Sequence, residues 1–304
     1  MNLLKDEIHD RILEKKKELD AVRPLPPEVV RKLREQMRVE YTYNSNAIEG
    51  NTLTLRETQM VIEEGFTASG KSLKEVLEAK NHPAAITYVE GLSERGIEEA
   101  DALKVHAILF KGVDEAAGTY RTGQVRITGA DFMPPPPQQV KPRMAELIEW
   151  LRVNPDELRP IELAAVFHHK LVCVHPFFEG NGRVARLLMN CTLLKHGYPF
   201  AVVLRNDRGT YYRALREADH GSPSPFVNFV ARCVERSLNL YLAAIGERTI
   251  ISLEEASKST GLSQEYLSLL ARKGAIDAFK IGKKWATTKK AIQKISAKRL
   301  RPST

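Results

Sequence analysis

Residues 175–186 read His-Pro-Phe-Phe-Glu-Gly-Asn-Gly-Arg-Val-Ala-Arg, and no other stretch limits the chain as tightly. Two glycines flank an asparagine, which marks a turn. Residues 161–174 before it are largely apolar and helix-like. After it, Leu187, Leu188, Met189, Leu193 and Leu194 keep a helical period that Gly197 ends. A loop feeding a helix N-terminus can turn the amides of Gly180, Asn181 and Gly182 outward and cradle an anion, aided by the helix dipole. Arg183 and Arg186 are three apart and share a helix face. Two guanidinium groups beside an amide nest form a polyphosphate site. His175 adds a candidate base and Glu179 a candidate metal ligand.

At every defining position this string matches the core motif of the Fic family, His-Pro-Phe-x-Asp/Glu-Gly-Asn-Gly-Arg-x-x-Arg, and so resembles a Fic domain. The resemblance implies a protein adenylyltransferase, which moves AMP from ATP to a Ser, Thr or Tyr hydroxyl of a target protein or of itself. It implies that His175 accepts the hydroxyl proton, a role suited to an imidazole with an ordinary pKa of about 6.5. Glu179 would hold Mg²⁺ across the α- and β-phosphates, because a hard cation takes carboxylate oxygen. Gly180, Asn181 and Gly182 would cradle phosphate oxygens, Arg183 would neutralise the β-phosphate, and Arg186 would reach the γ-phosphate. Tyr211 or Tyr212, within residues 206–213, would contact the adenine side. His168 and His169 lack metal spacing to His175 and read as helix packing.

Two further segments resemble parts of the same family. Ser45-Asn-Ala-Ile-Glu-Gly50 is similar to its inhibitory motif, Ser/Thr-x-x-x-Glu-Gly/Asn. Ser45 and Glu49 are four apart and face one way on a helical turn. The resemblance implies that Glu49 pairs with Arg186 and keeps it from the γ-phosphate. Residues 124–133 alternate around a Gly129 turn and then meet Pro134–Pro137, the pattern of a short β-hairpin stopped by proline. In the family a hairpin here, the flap, clamps a target segment as an added strand, which gives Val125, Ile127, Thr128 and Gly129 that role. Gly118-Thr-Tyr-Arg121 is similar to the lead-in to that flap.

Gly65-Phe-Thr-Ala-Ser-Gly-Lys-Ser72 satisfies the P-loop pattern letter by letter. A true P-loop follows a buried strand, whereas residues 57–64 are charged and helix-forming, so the stretch reads as a helix–helix loop with Ser69 or Ser72 as cap.

Charge separates the C-terminus from the rest. Residues 249–304 hold twelve Lys/Arg and four Asp/Glu, which accounts for the whole +8 of the chain. They read as helix, Gly261 turn, helix, two short strands around Gly282 and Lys283, and a last basic helix, similar to a winged helix-turn-helix of the excisionase type. That resemblance puts Gln264, Tyr266, Ser268, Arg272, Lys283 and Lys284 against DNA. Cys173, Cys191 and Cys233 are odd in number, far apart and without metal spacing, which suits core residues in a reducing cytoplasm. The charged start and the lack of a long apolar run predict neither leader nor membrane span.

The expected architecture is mostly α: a helical extension over 1–34, a Fic-type helical bundle with a β-hairpin flap over 35–246 and its inhibitory helix near 41–50, and a winged helix-turn-helix-like basic domain over 249–304. A homodimer would suit a palindromic DNA site. A DNA-binding regulator with a Fic-like sensor, or a Fic enzyme that takes another nucleotide or removes AMP, stands as the alternative.

Overall fold

The computed structural model describes residues 3–65 and 70–299. In chain order the helices are α1 (Asp6–Ala21), α2 (Pro27–Ile48), α3 (Leu55–Glu63), α4 (Leu73–Leu92), α5 (Glu99–Leu109), α6 (Pro137–Val153), α7 (Pro160–Val174), α8 (Asn181–Lys195), α9 (Arg208–Asp219), α10 (Ser224–Ala244), α11 (Leu253–Thr260), α12 (Gln264–Lys273) and α13 (Lys289–Arg299). Three short strands accompany them, β1 (Ile250–Ser252), β2 (Ala278–Ile281) and β3 (Lys284–Thr288). Among the described residues no helix is long and apolar enough to cross a membrane. The chain divides into two compact units, Met1–Leu3 with Arg34–Val230 and Leu4–Leu33 with Ala231–Thr304.

The first unit is built around α8. Val184, Ala185, Leu187, Leu188, Met189, Cys191 and Leu193 are all buried, so this helix is apolar almost all round, as a central helix must be. It packs on α7, α4 and α5, and α6 covers α7. Polar groups inside such a helix need partners. Asn190 finds them in the backbone of Ala201, accepting from its N–H at 2.6 Å and donating to its carbonyl at 3.2 Å.

Local capping chemistry sets the helix starts near the site. Thr54 and Glu57 form a capping box at α3, and Ser72 with Glu75 repeats it at α4. The P-loop-like stretch therefore ends in a helix cap and follows a helix, while Ser69 lies outside the described residues.

One expectation is extended here and one corrected. The helix expected near 41–50 is the C-terminal part of one longer helix, α2, which runs from Pro27 through Ser45 to Ile48. The β-hairpin flap is a turn without a ladder: residues 124–133 carry no assigned strand, and only the Ala130 N–H to Ile127 carbonyl bond, 3.2 Å, closes the turn at Gly129. Pro134–Pro137 follow directly and, having no N–H to donate, cannot extend a second strand beyond Met133. The side-chain amide of Gln124 instead donates to the Pro134 carbonyl at 3.1 Å.

In the second unit the strands form an antiparallel sheet of order β1-β3-β2, with Ile251 opposite Thr287 and Phe279 opposite Ala286. Leu253, Ala256, Leu267, Ala271, Ile276 and Ile292 make its core. Ser252 with Glu255 caps α11, Gly261 in the left-handed conformation (φ 68°) ends it, and Ser263 caps α12. A buried ion network runs through this unit. Lys15, 1% exposed, lies 2.5 Å from Glu235 and 2.8 Å from Asp277, and Arg11 grips Glu235 at 2.7 and 2.9 Å. Burial alone would raise the Glu235 pKa, but Lys15 and Arg11 reverse this and hold it below the ordinary range. Glu18 pairs with Arg248 and Lys290, and Glu14 with Lys294. Acidic groups of α1 thus neutralise part of the C-terminal basic charge.

Candidate active site

His175 ends α7 as its C-cap, with φ 50° and ψ 58°. A left-handed backbone at a non-glycine residue is uncommon, and here it turns the chain from helix into loop. The ring Nδ1 lies 3.2 Å from the Val172 carbonyl. A carbonyl only accepts, so Nδ1 carries the proton and Nε2 keeps its lone pair. Burial lowers the pKa of the ring and Arg121 adds to this, against the opposing pull of the Val172 bond and Glu49. The imidazole is therefore neutral at neutral pH.

Arg121 fixes this corner. It is 2% exposed, and its guanidinium donates to the carbonyls of His175 at 2.7 Å and Gly123 at 3.0 Å, and also to Pro135. Its own N–H donates to the Pro176 carbonyl at 2.9 Å. One side chain thus ties both ends of the 124–133 loop to the end of α7.

The loop after His175 is held from inside. The Asn181 side chain accepts from the Phe177 N–H and donates to the Phe177 carbonyl, both at 2.9 Å. Its amide group is therefore spent on the loop, and only its backbone remains for an anion at the α8 N-terminus. Gly180 has φ 82°, and a Cβ there would stand 2.2 Å from the Phe110 ring. His106 stacks on Phe177 with ring centroids 3.9 Å apart. It accepts from the Gly118 N–H at Nδ1 (2.9 Å) and donates from Nε2 to the Glu179 carbonyl (3.1 Å), which fixes one neutral tautomer. Burial pulls its pKa down to about 4.

The charged groups are paired. The Glu179 carboxylate is 47% exposed and accepts from Lys74 at 2.9 Å. Arg183, 2% exposed, pairs with Glu78 at 2.8 Å, reaches Glu179 at 3.4 Å and stacks over the Phe110 ring at 4.5 Å. Its Nε has no hydrogen-bond partner. Arg186, 1% exposed, lies 2.8 Å from Glu49 and donates to the Ser45 carbonyl at 2.9 Å and the Ser45 hydroxyl at 3.2 Å. Burial would lower its pKa, but Glu49 more than offsets this and the group stands above its ordinary value. A Cβ on Gly182 would meet the Glu49 carboxylate at 2.5 Å, so that carboxylate lies against Gly182 in the first turn of α8.

A cavity of about 430 Å³ joins these parts, lined by Glu49, His175, Gly182, Tyr211, Tyr212 and the loop tip from Ile127 to Gly129. The two tyrosines differ. Tyr211 is 2% exposed, 3.4 Å from Arg186 and 3.0 Å from His168 Nε2, whereas Tyr212 is half-buried beneath the Arg208 guanidinium, 4.8 Å from its ring. Val125 does not line the cavity.

The expected residues His175, Gly182, Tyr211, Tyr212 and Glu49 thus line one cleft, with Arg186 and Ser45 buried behind Glu49, whereas Glu179, Gly180, Asn181 and Arg183 are not part of its lining. Lys74, Glu78, His106, Arg121 and Arg208 were not foreseen as site residues. Arg121 alone had a local signal, as the last residue of Gly118-Thr-Tyr-Arg121. The expected DNA-contact residues sit in the second unit: Gln264, Tyr266, Arg272, Lys283 and Lys284 are exposed and Ser268 is half-buried.

The profile of the Fic/DOC family matches residues 96–193. The solved structure of Fic-1 (aa134–508) from C. elegans has a TM-score of 0.71 and 31% identity, covering 79% of this chain and 73% of that one. The chain belongs to the Fic/DOC family. A Fic domain containing signaling protein from Bacteroides thetaiotaomicron gives a TM-score of 0.73 at 29% identity, over 78% of this chain and 98% of that one. The protein adenylyltransferase Fic of Nematostella vectensis is 38% identical over 246 residues, which are 79% of this chain and 57% of the relative. The chain spans about half the length of the curated Fic relatives it matches.

Proposed function

We propose that this chain is a self-inhibited protein adenylyltransferase that transfers AMP from ATP to a hydroxyl side chain of a target protein or of itself. The single observation that carries the reading is the Arg186–Glu49 pair, 2.8 Å long, set over Gly182 on the same cavity as His175. The target hydroxyl attacks the α-phosphorus, its proton passes to His175 Nε2, and the bond to the departing pyrophosphate breaks. Neutral His175 with its proton on Nδ1 is ready for that transfer. The α8 N-terminal amides and the two arginines stabilise charge on the phosphates.

The Glu179 carboxylate suits Mg²⁺. It is half-exposed, it is a hard oxygen donor, and the Lys74 ammonium on it at 2.9 Å stands where a cation would. Glu179 would hold Mg²⁺, which would add positive charge beside the leaving group. Glu49, with Ser45, keeps Arg186 from the γ-phosphate, so release of Glu49 turns the enzyme on. The 124–133 loop presents Ile127, Thr128 and Gly129 to the target backbone. Without a ladder of its own, its unpaired backbone groups are open to an added segment.

The test is transfer of label from ATP marked at the α- or the γ-phosphate. Transfer of the α label only, rising in Glu49→Gly, supports the proposal. Transfer of the γ label, or of neither in any variant, overturns it.

A second reading rests on the second unit, where Gln264, Tyr266 and Arg272 on α12 and Lys283 and Lys284 at the β2–β3 turn are exposed together. They form a helix and wing able to meet a DNA groove and its phosphates. A gel shift tests it. Loss of two phosphate contacts in Lys283→Ala with Lys284→Ala should reduce the salt slope by about 1.8, and an unchanged slope would refute that contact.

A further inference from the structure

At the edge of the nucleotide cleft, whose lining includes Asp219, three side chains that the proposed reaction does not use converge. His169 and Cys173 are four apart on α7 and so share a face. Asp219, the last residue of α9, meets them there. His169 Nε2 lies 2.8 Å from Asp219 Oδ1 and 3.4 Å from Cys173 Sγ, and Sγ lies 4.0 Å from Oδ1. All three potential ligand atoms lie within 4.8 Å of one another.

A catalytic triad does not fit. In a nucleophile–base–acid arrangement the acid and the nucleophile hold opposite ring nitrogens. Here both meet Nε2, so nothing on the acid side orients the base. Burial, with Asp219 beside it, also pushes the Cys173 thiol up to about 12, far from an activated thiolate. In the metal-free arrangement the His169 ring and the Cys173 thiol both face Asp219 Oδ1, so that three potential ligand atoms converge on one point.

We infer that His169, Cys173 and Asp219 form a binding site for a divalent ion of the zinc class, taken through Nε2, Sγ and a carboxylate oxygen. Zinc–ligand bonds of about 2.3 Å to sulfur and about 2.0–2.1 Å to nitrogen and oxygen place tetrahedral ligand atoms roughly 3.3–3.6 Å apart. The three observed separations lie within about 0.5 Å of those values. The Nε2–H that faces the Asp219 carboxylate must first move, the ring taking the tautomer protonated on Nδ1, so that the Nε2 lone pair binds the metal, and the thiol gives up its proton to solvent as the metal–sulfur bond forms. His169 and Cys173 line an open cleft of about 560 Å³, which leaves a fourth position to water. The Lys170 ammonium, the nearest competing cation on α7, sits 4.8 Å over the Trp150 ring. The thiolate selects zinc over Mg²⁺, which prefers oxygen.

The test uses the full chain stripped of metal by chelation, titrated with Zn²⁺ and separately with Co²⁺ in excess Mg²⁺. One equivalent of Zn²⁺ should bind and raise the Tm, and Co²⁺ should give a thiolate-to-metal charge-transfer band. Cys173→Ser should abolish that band and weaken Zn²⁺ by more than about 100-fold, beyond what loss of an outer-shell partner does. Asp219→Asn should weaken Zn²⁺ while keeping the band, and Cys191→Ser should leave both unchanged. No stoichiometric Zn²⁺ in the wild type, or a band that survives Cys173→Ser, would overturn the site. Because the readout is metal binding, failure here leaves the adenylyl-transfer reading intact, and the reverse also holds.

Discussion

Among the described residues Glu49 is the one anionic group that contacts Arg186, and Glu49→Gly removes it. The remaining contacts are the Ser45 carbonyl at 2.9 Å, the Ser45 hydroxyl at 3.2 Å and Tyr211 at 3.4 Å, all neutral. A hydrogen bond to a charged group contributes about 1.5–3 kcal/mol. At about 1.4 kcal/mol per tenfold, a γ-phosphate that must displace Glu49 binds roughly 10- to 100-fold more weakly than one that finds Arg186 free. AMP has no γ-phosphate and does not compete for Arg186. Calorimetric titration with both nucleotides separates the effects: Glu49→Gly should tighten ATP by roughly 10- to 100-fold and change AMP by less than about twofold. The nucleotide-free variant should also melt lower than the wild type, because a buried guanidinium loses its counter-charge, and ATP should restore more of that loss than AMP. Equal changes for ATP and AMP, or none, would refute the competition.

Three further outcomes follow from the same geometry. Gly180→Ala must place a Cβ 2.2 Å from the Phe110 ring at φ 82°, so thermal unfolding should show a loss of about 2–4 kcal/mol from strain and overpacking. His106 has a folded pKa of about 4, below its unfolded value; its neutral state therefore contributes stability that is full above pH ~6.5 and is lost as pH falls toward ~4, and the Tm–pH curve of His106→Gln should be flatter across that window. Arg121→Lys cannot span the carbonyls of His175, Gly123 and Pro135, so in a Glu49→Gly background kcat should drop by about tenfold or more with nucleotide affinity little changed.

The 175–186 stretch was legible because its chemistry is contiguous: base, loop and arginines follow one another on a turn and a helix start. Glu49 was legible too, since Ser45 and Glu49 keep a fixed helical spacing and the resemblance to the family's inhibitory motif implied Arg186 as its partner. The partners of the other charges were not. Glu78 meets Arg183, and Lys74 meets Glu179, only because α4 packs on α8. No local pattern encodes that packing. His106 carries no motif, and its fixed tautomer depends on Gly118 and Glu179, far from it in sequence. The flap was expected as a paired hairpin because residues 124–133 alternate around Gly129, and alternation alone does not supply cross-strand hydrogen bonds. Cys173 was read as a core residue without metal spacing. Its i, i+4 relation to His169 carries weight only once the end of α9 brings Asp219 beside both.

The most direct test of the central claim compares Glu49→Gly with Glu49→Gly combined with His175→Ala, measuring ATP affinity and the rate of label transfer from α-marked ATP on the same samples. The account predicts near-equal affinity and loss of transfer in the double variant, because His175 takes the hydroxyl proton and does not hold the phosphates. Undiminished transfer by the double variant would contradict it.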